Sequence, residues 1–220
     1  MQSFEELMST PFGDGVNAMC WPRVLEGDFS EVIAHLEVGP GITHLVAEEL
    51  LALRLSADGH KAVLTMLDDV ALLEAHGLDP VLDCIHGYTH GEQDGPVRTD
   101  VCSFHADSAT AEADTFLCTY HGASSEGLRN EDAVCRVDVP ETRAALLRLH
   151  GGADDEGFAD FLTEHFYDLH YAPVSGAVPF VFGVGHLWRI ATQYPGCPVP
   201  PCIHRAPDPV PGQKRLLLIS

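Results

Sequence analysis

Lysine is almost missing from this chain: Lys61 and Lys214 are the only two, and the 12 basic residues face 33 acidic ones for a net charge of −21. No basic block exists. Nucleic acid and anionic membrane surfaces both reward clustered Lys and Arg, so the composition excludes them as main partners. Also missing is any apolar run approaching 18 residues, and the first residues carry no basic segment followed by an apolar one. A soluble, cytoplasmic protein is the expectation. Seven cysteines are an odd number, unsuited to a closed disulfide framework and ordinary in a reducing compartment. No internal repeat, no nucleophile elbow and no convincing acid/base pair is present.

What is present describes a folded chain. Hydrophobic residues make up 45% and charged residues 20% of 220, which fits one domain over 1–220 with a real core. Residues 1–16 read as a loosely held lead-in, and Asn17–Arg23 as an apolar stretch packed on the body. Asp28 is placed to cap a helix over Phe29–Leu36, where Phe29, Val32, Ile33 and Leu36 fall at helical spacing. Gly39-Pro40-Gly41 is a break. Thr43 then reads as the cap of a second helix with Leu45, Val46, Leu50 and Leu53 on one face. Ala62–His76 continues in helical period, with a break expected near Asp68-Asp69 and an end at Gly77. Glu48, Glu49, Asp68 and Asp69 read as a solvated face.

From Pro80 the period changes. Val81–His86, Phe116–Tyr120, Val134–Val139, Pro179–Val184, His186–Ala191, Ile203–Arg205 and Arg215–Ser220 read as strands, with a polar loop at Gly91–Gly95. Glu141–Leu149 and Gly157–Phe166 read as helices. The fold class is therefore α+β: a helical cover over about 1–80 and a sheet-rich, metal-binding core over about 81–220, with a jelly roll as the natural candidate.

The candidate chemistry starts at His105-Ala106-Asp107. In an extended chain, residues i and i+2 point to one face, so an imidazole and a carboxylate converge without distortion. One more imidazole completes the two-His-one-carboxylate set of non-haem Fe(II) oxygenases. His204, in a short strand near the C-terminus, supplies it. Pro207–Gly212 reads as a turn, so two antiparallel strands are expected to bring Arg215 near His204. A guanidinium there can hold a carboxylate in a bidentate pair, as a 2-oxo acid cosubstrate requires. Thr119 and Tyr120 alternate in a strand, so one of them is expected to face that cosubstrate. Arg205 is expected to point away, and Phe182 and Trp188 to be core.

His105-x-Asp107, His204 and Arg215, in that order, resemble the metal and cosubstrate pattern of Fe(II)/2-oxoglutarate dioxygenases. More closely, FHAD, LCTYHGASSEGLRN, IHRAP and RLLLIS are similar to an uncharacterised bacterial family, the domain-of-unknown-function family 1826. That family has Phe-His-x-Asp, a Thr-Tyr-x-Gly-Pro-Gly-Thr-Glu-like segment and a closing His-Arg-Ser-Pro. Here the middle segment is Thr119-Tyr120-His121-Gly122-Ala123-Ser124-Ser125-Glu126, without the Pro-Gly. The match covers chiefly 103–130 and 203–219. The resemblance implies a double-stranded β-helix, Fe(II) on His105, Asp107 and His204, and 2-oxoglutarate on Arg215 with Thr119 or Tyr120. No catalytic residue beyond the metal ligands is expected, because the metal breaks the bonds. The substrate expected is a small molecule or peptide.

A rival reading is a zinc site used for structure or zinc handling. Cys102, His105, Cys197 and Cys202 (or His204) have spacings that suit tetrahedral zinc.

Overall fold

Two-residue alternation along β-rich segments builds this protein around sheets with different neighbours on each face. The structure is a computed structural model and describes residues 1–87 and 95–220; the polar loop expected at Gly91–Gly95 lies outside them except for Gly95. The architecture is mixed α/β, with antiparallel sheets and, among the described residues, six α-helices. In chain order they are α1 (Phe4–Ser9), β1 (Ala18–Trp21), α2 (Phe29–His35), β2 (Gly41–His44), α3 (Ala47–Ala52), α4 (Ala57–Glu74), β3 (Val81–His86), β4 (Asp114–His121), β5 (Glu126–Leu128), β6 (Ala133–Cys135), α5 (Pro140–His150), α6 (Glu156–Glu164), β7 (Tyr171–Pro173), β8 (Phe180–Val181), β9 (Leu187–Ala191), β10 (Ile203–Arg205) and β11 (Arg215–Ile219). Six strands form one sheet in the order β1-β9-β4-β11-β3-β2; β10-β5-β8 form a second, and β6-β7 a short ribbon. No helix among the described residues is long and apolar enough to cross a membrane.

The pleat decides what each face of the large sheet touches. From β4, Phe116, Cys118 and Tyr120 join a core with Leu7, Val32, Val63, Met66 and Leu73 of the N-terminal helices. Leu117, on the opposite face, meets Ile85, Ile190, Leu217, Phe182 and Cys202 between the two sheets. Phe182 and Trp188 stack there with centroids 4.5 Å apart, as expected for core residues.

The N-terminal third departs from the expected all-helical cover. It contributes β1 and β2, the two edge strands of the large sheet. Residues 1–16 are not a loose lead-in: α1 buries Phe4 and Leu7. Thr43 caps no helix but pairs with Cys84 in β2, where the β-branched pair Ile42-Thr43 suits an extended edge. Asp28 does cap α2, accepting from the Ser30 and Glu31 amides. Val134–Val139 is strand only to Cys135, then a 3₁₀ turn.

The largest correction concerns α4, which runs unbroken through Asp68-Asp69. Asp69 is not on a solvated face but 3% exposed. Arg23 donates to both of its carboxylate oxygens, one bond being 2.8 Å, and the Tyr120 hydroxyl donates at 2.7 Å. A buried carboxylate is tolerated within a helix when its partners replace water this completely. Tyr120→Phe is expected to lower unfolding free energy by about 1.5–3 kcal/mol, the range for a hydrogen bond to a charged group. Metal content should not change. Urea unfolding and metal analysis of the same variant check both statements, and a loss of metal would put Tyr120 back at the site.

Candidate metal centre

Backbone pairing brings the three expected ligands together from segments far apart in sequence. Asp100 accepts from the Cys102 and Ser103 amides at 3.0 and 3.1 Å, turning the chain into the His105 segment. His105 and His204 then exchange amide–carbonyl bonds, each 2.9 Å, so the residues lie opposite each other and their side chains share a face. Asp107, two residues on, points the same way. Its carboxylate lies 3.6 Å from His105 Nε2 and 3.7 Å from His204 Nε2. All three donor atoms lie within 4.8 Å of one another.

The surroundings set their chemical state. His105 Nδ1 is 2.8 Å from the Ser103 carbonyl, and His204 Nδ1 is 3.3 Å from the Cys202 carbonyl. A carbonyl only accepts, so each ring carries a hydrogen on Nδ1 and turns Nε2 towards Asp107, where that nitrogen either bears a proton or offers its lone pair to a cation. Burial alone disfavours an ionised Asp107. The facing His105 ring at 3.6 Å, the nearby His204 and the hydrogen bond donated by the Thr115 hydroxyl at 2.6 Å outweigh it and hold the carboxyl well below the usual carboxylate range. Burial likewise opposes protonation of His105, but Asp107 and the Ser103 carbonyl win and raise it. His204 is buried more deeply, and burial lowers it. An ionised carboxylate and two imidazoles presenting Nε2 are the donors a divalent cation requires.

Arg215 completes the constellation by a route other than the one expected. β10 and β11 do not pair. β11 lies between β4 and β3 in the large sheet, while β10 belongs to the small one, so Arg215 and His204 face a common space across the gap between sheets. That space is a cavity of about 190 Å³ lined by His105, Asp107, His204, Arg215, Ser125 and apolar residues that include Ile85, Leu117 and Leu217. Arg215 is 6% exposed and donates to Thr119 Oγ1 at 3.0 Å and Ser125 Oγ at 2.9 Å. Thr119 therefore stands with the site. Tyr120, its neighbour in the expected pair, lies on the other face of the sheet with its hydroxyl on Asp69, and cannot reach this cavity.

Thr115, Ser125 and His170 are additions that sequence reasoning missed. Small hydroxyl residues carry no local signal, and His170 lies in a segment with no motif. The His170 backbone forms an antiparallel bridge with His105, and burial, with His105 and Arg136 nearby, pushes its imidazole down to about 4. Arg205, as expected, points away from the triad: it pairs with Glu126 at 2.8 Å and lies over the Phe104 ring.

The cysteine set of the zinc reading is not assembled. Among the described residues the one group of three or more potential ligands is His105, Asp107 and His204. Cys102 Sγ meets the Pro207 carbonyl, and Cys197 Sγ the Val199 carbonyl. Burial pushes the Cys202 thiol up to about 12, the reverse of what a thiolate ligand needs.

No family model matches this chain, no curated protein is similar to it, and no solved structure matches its fold.

Proposed function

We propose that the chain is a non-haem Fe(II)- and 2-oxoglutarate-dependent oxygenase of hydroxylase type, acting on a small molecule or peptide and built on a double-stranded β-helix. The observation that carries this reading is the placement of His105, Asp107 and His204 in the same intersheet cavity as buried Arg215. The strand order supports the fold. Apart from β6 and β7, which form their own ribbon between β5 and β8, the segments β3, His105, β4, β5, β8, β9, β10 and β11 fall in the large, small, large, small, small, large, small and large sheet, with His105 joined to the small one through its bridge to His204. Such crossing between two facing sheets is the plan of a jelly roll.

In this reading the two Nε2 atoms and the Asp107 carboxylate are the donors that would hold Fe(II). Bound iron supplies oxygen activation coupled to oxidative decarboxylation of the 2-oxo acid. The chain does the rest by position. Thr115 fixes the rotation of the Asp107 carboxylate, and the Ser103 and Cys202 carbonyls fix the two rings. Arg215, steadied by Thr119 and Ser125, receives the distal carboxylate of 2-oxoglutarate as a charged pair. Ile85, Leu117 and Leu217 keep water from the carbon chain between.

The test is metal analysis of protein purified without added metal, followed by 2-oxoglutarate consumption and succinate formation with Fe(II) and oxygen. Iron uptake with consumption is the expected result. Stoichiometric zinc with inert 2-oxoglutarate overturns the oxygenase reading in favour of a non-redox zinc protein.

A further inference from the structure

A second cavity, of about 210 Å³, meets the first at Val101, His105 and Asp107 and continues without Arg215 in its lining. Its lining differs in charge and shape. Asp100, paired with Arg98 at 2.7 Å, is the charged residue it adds beyond the metal ligands, and among the described residues no Arg or Lys lines it. Val101, Leu169 and Phe166 supply apolar surface, and His170 a polar edge.

Two features of this wall have no explanation in packing. His170 is 4% exposed, yet its Nδ1 finds no hydrogen-bond partner among the described residues. The segment carrying it is firmly tied: Ala106 N donates to Leu169 O, Arg136 N to His170 O and Tyr171 N to Phe104 O, at 2.8–2.9 Å. The His170 ring thus extends the row of His204 and His105, with centroids 4.6 Å and then 5.8 Å apart. It is not within reach of the three-atom ligand group. Phe166, for its part, follows the His165 cap of α6 at φ 59° and is 58% exposed. That left-handed position after a helix is one where glycine is favoured and a bulky residue strained. A phenyl ring kept there, contributing little to any core, points to use of the ring itself.

We infer that this second cavity is the subsite for the primary substrate, and that it takes a molecule other than a dianion, with a ring-sized apolar body against Phe166 and a hydrogen-bonding edge against His170. The inference rests on the oxygenase reading for its chemistry, since the two cavities would then divide the cosubstrates across the metal. The side with Arg215 suits a dianion; on the other side Arg98 is already paired with Asp100 at 2.7 Å, and the described lining offers a dianion no counter-charge. The acidity of the whole chain acts in the same direction on approach. Phe166 and His170 come from the connection between α6 and β7, so the chain between the small-sheet strands β5 and β8 sets specificity.

Ligand-detected NMR titrations of the full chain with benzamide, benzylamine and benzoate test this, because the three share a ring and differ in charge. Benzamide and benzylamine are expected to bind at millimolar concentration and to lose about fivefold in affinity in Phe166→Ala and in His170→Ala, the scale of one aromatic contact. Benzoate held by Arg215 is expected to be insensitive to both. Phe166 is exposed, so its alanine variant keeps the test valid if His170→Ala folds poorly. No binding of benzamide or benzylamine, or affinities unchanged in Phe166→Ala, overturns the subsite. Calorimetry of 2-oxoglutarate on the Mn(II)-loaded chain reads the oxygenase assignment separately. Fragment binding without cosubstrate binding leaves the cavity standing and removes the oxygenase.

Discussion

His105→Ala is expected to abolish stoichiometric divalent-metal binding while Cys197→Ser leaves it intact. The first change removes one of three donors and leaves Asp107 facing His204 alone; the second touches a thiol whose contacts are backbone carbonyls. Loss of an outer partner of a metal ligand typically costs 10–100-fold in affinity, and loss of a ligand itself costs more. Metal content by emission spectrometry after gel filtration reads this directly. Retention of metal in His105→Ala with loss in Cys197→Ser sinks the triad. The pH dependence carries a definite sign. A cation must displace any proton on Nε2, so affinity falls with falling pH. Asp107 raises His105, so that loss begins above the ordinary histidine value of about 6.5. His204 is lowered and Asp107 is held down, so neither adds to the loss until the medium is more acidic.

Arg215→Leu is expected to weaken 2-oxoglutarate binding by roughly tens to thousands of times with metal content unchanged. Truncating one partner of a buried, hydrogen-bonded charge pair costs on the order of 2–5 kcal/mol, much of it the penalty of stranding the other charge. Leucine fills similar space beside Ile85 and Leu217 and removes the fork that Thr119 and Ser125 hold in place. Calorimetry without oxygen, on the chain loaded with Mn(II), measures the difference. Equal affinity in wild type and variant would show that the distal carboxylate is anchored elsewhere.

The triad was legible because each part of it obeys a local rule. His105 and Asp107 needed only the two-residue period of an extended chain, and His204 only a short strand. Asp28 was legible for a similar reason, as its carboxylate caps amides two and three residues away. What failed depended on distant partners. Nothing near Asp69 announces burial, since Arg23 and Tyr120 arrive from 46 and 51 residues away. Alternation showed that Thr119 and Tyr120 face opposite ways, but which face meets the cavity depends on the helices packing on the other. The approach of Arg215 to His204 was expected through a hairpin and occurs across two sheets. A turn at Pro207–Gly212 is equally compatible with both. His170 had no signature because its relation to His105 is a single backbone bridge between segments 65 residues apart.

The position of β11 carries a consequence for how the molecule comes into being. In the order β1-β9-β4-β11-β3-β2, this strand is the one link between a half made of β1, β9 and β4 and a half made of β3 and β2. A nascent chain that has reached residue 210 already contains His105, Asp107 and His204, yet its large sheet is two unjoined ribbons. Synthesis runs at about 5–20 residues per second, so the seam stays open until β11 itself has been made. Arg215 is the first residue of that strand, and it enters the cavity in the same event that closes the seam. Synthesis thus orders the cavity: His105, Asp107 and His204 emerge first and Arg215 after them. A stalled or truncated chain exposes two ready sheet edges.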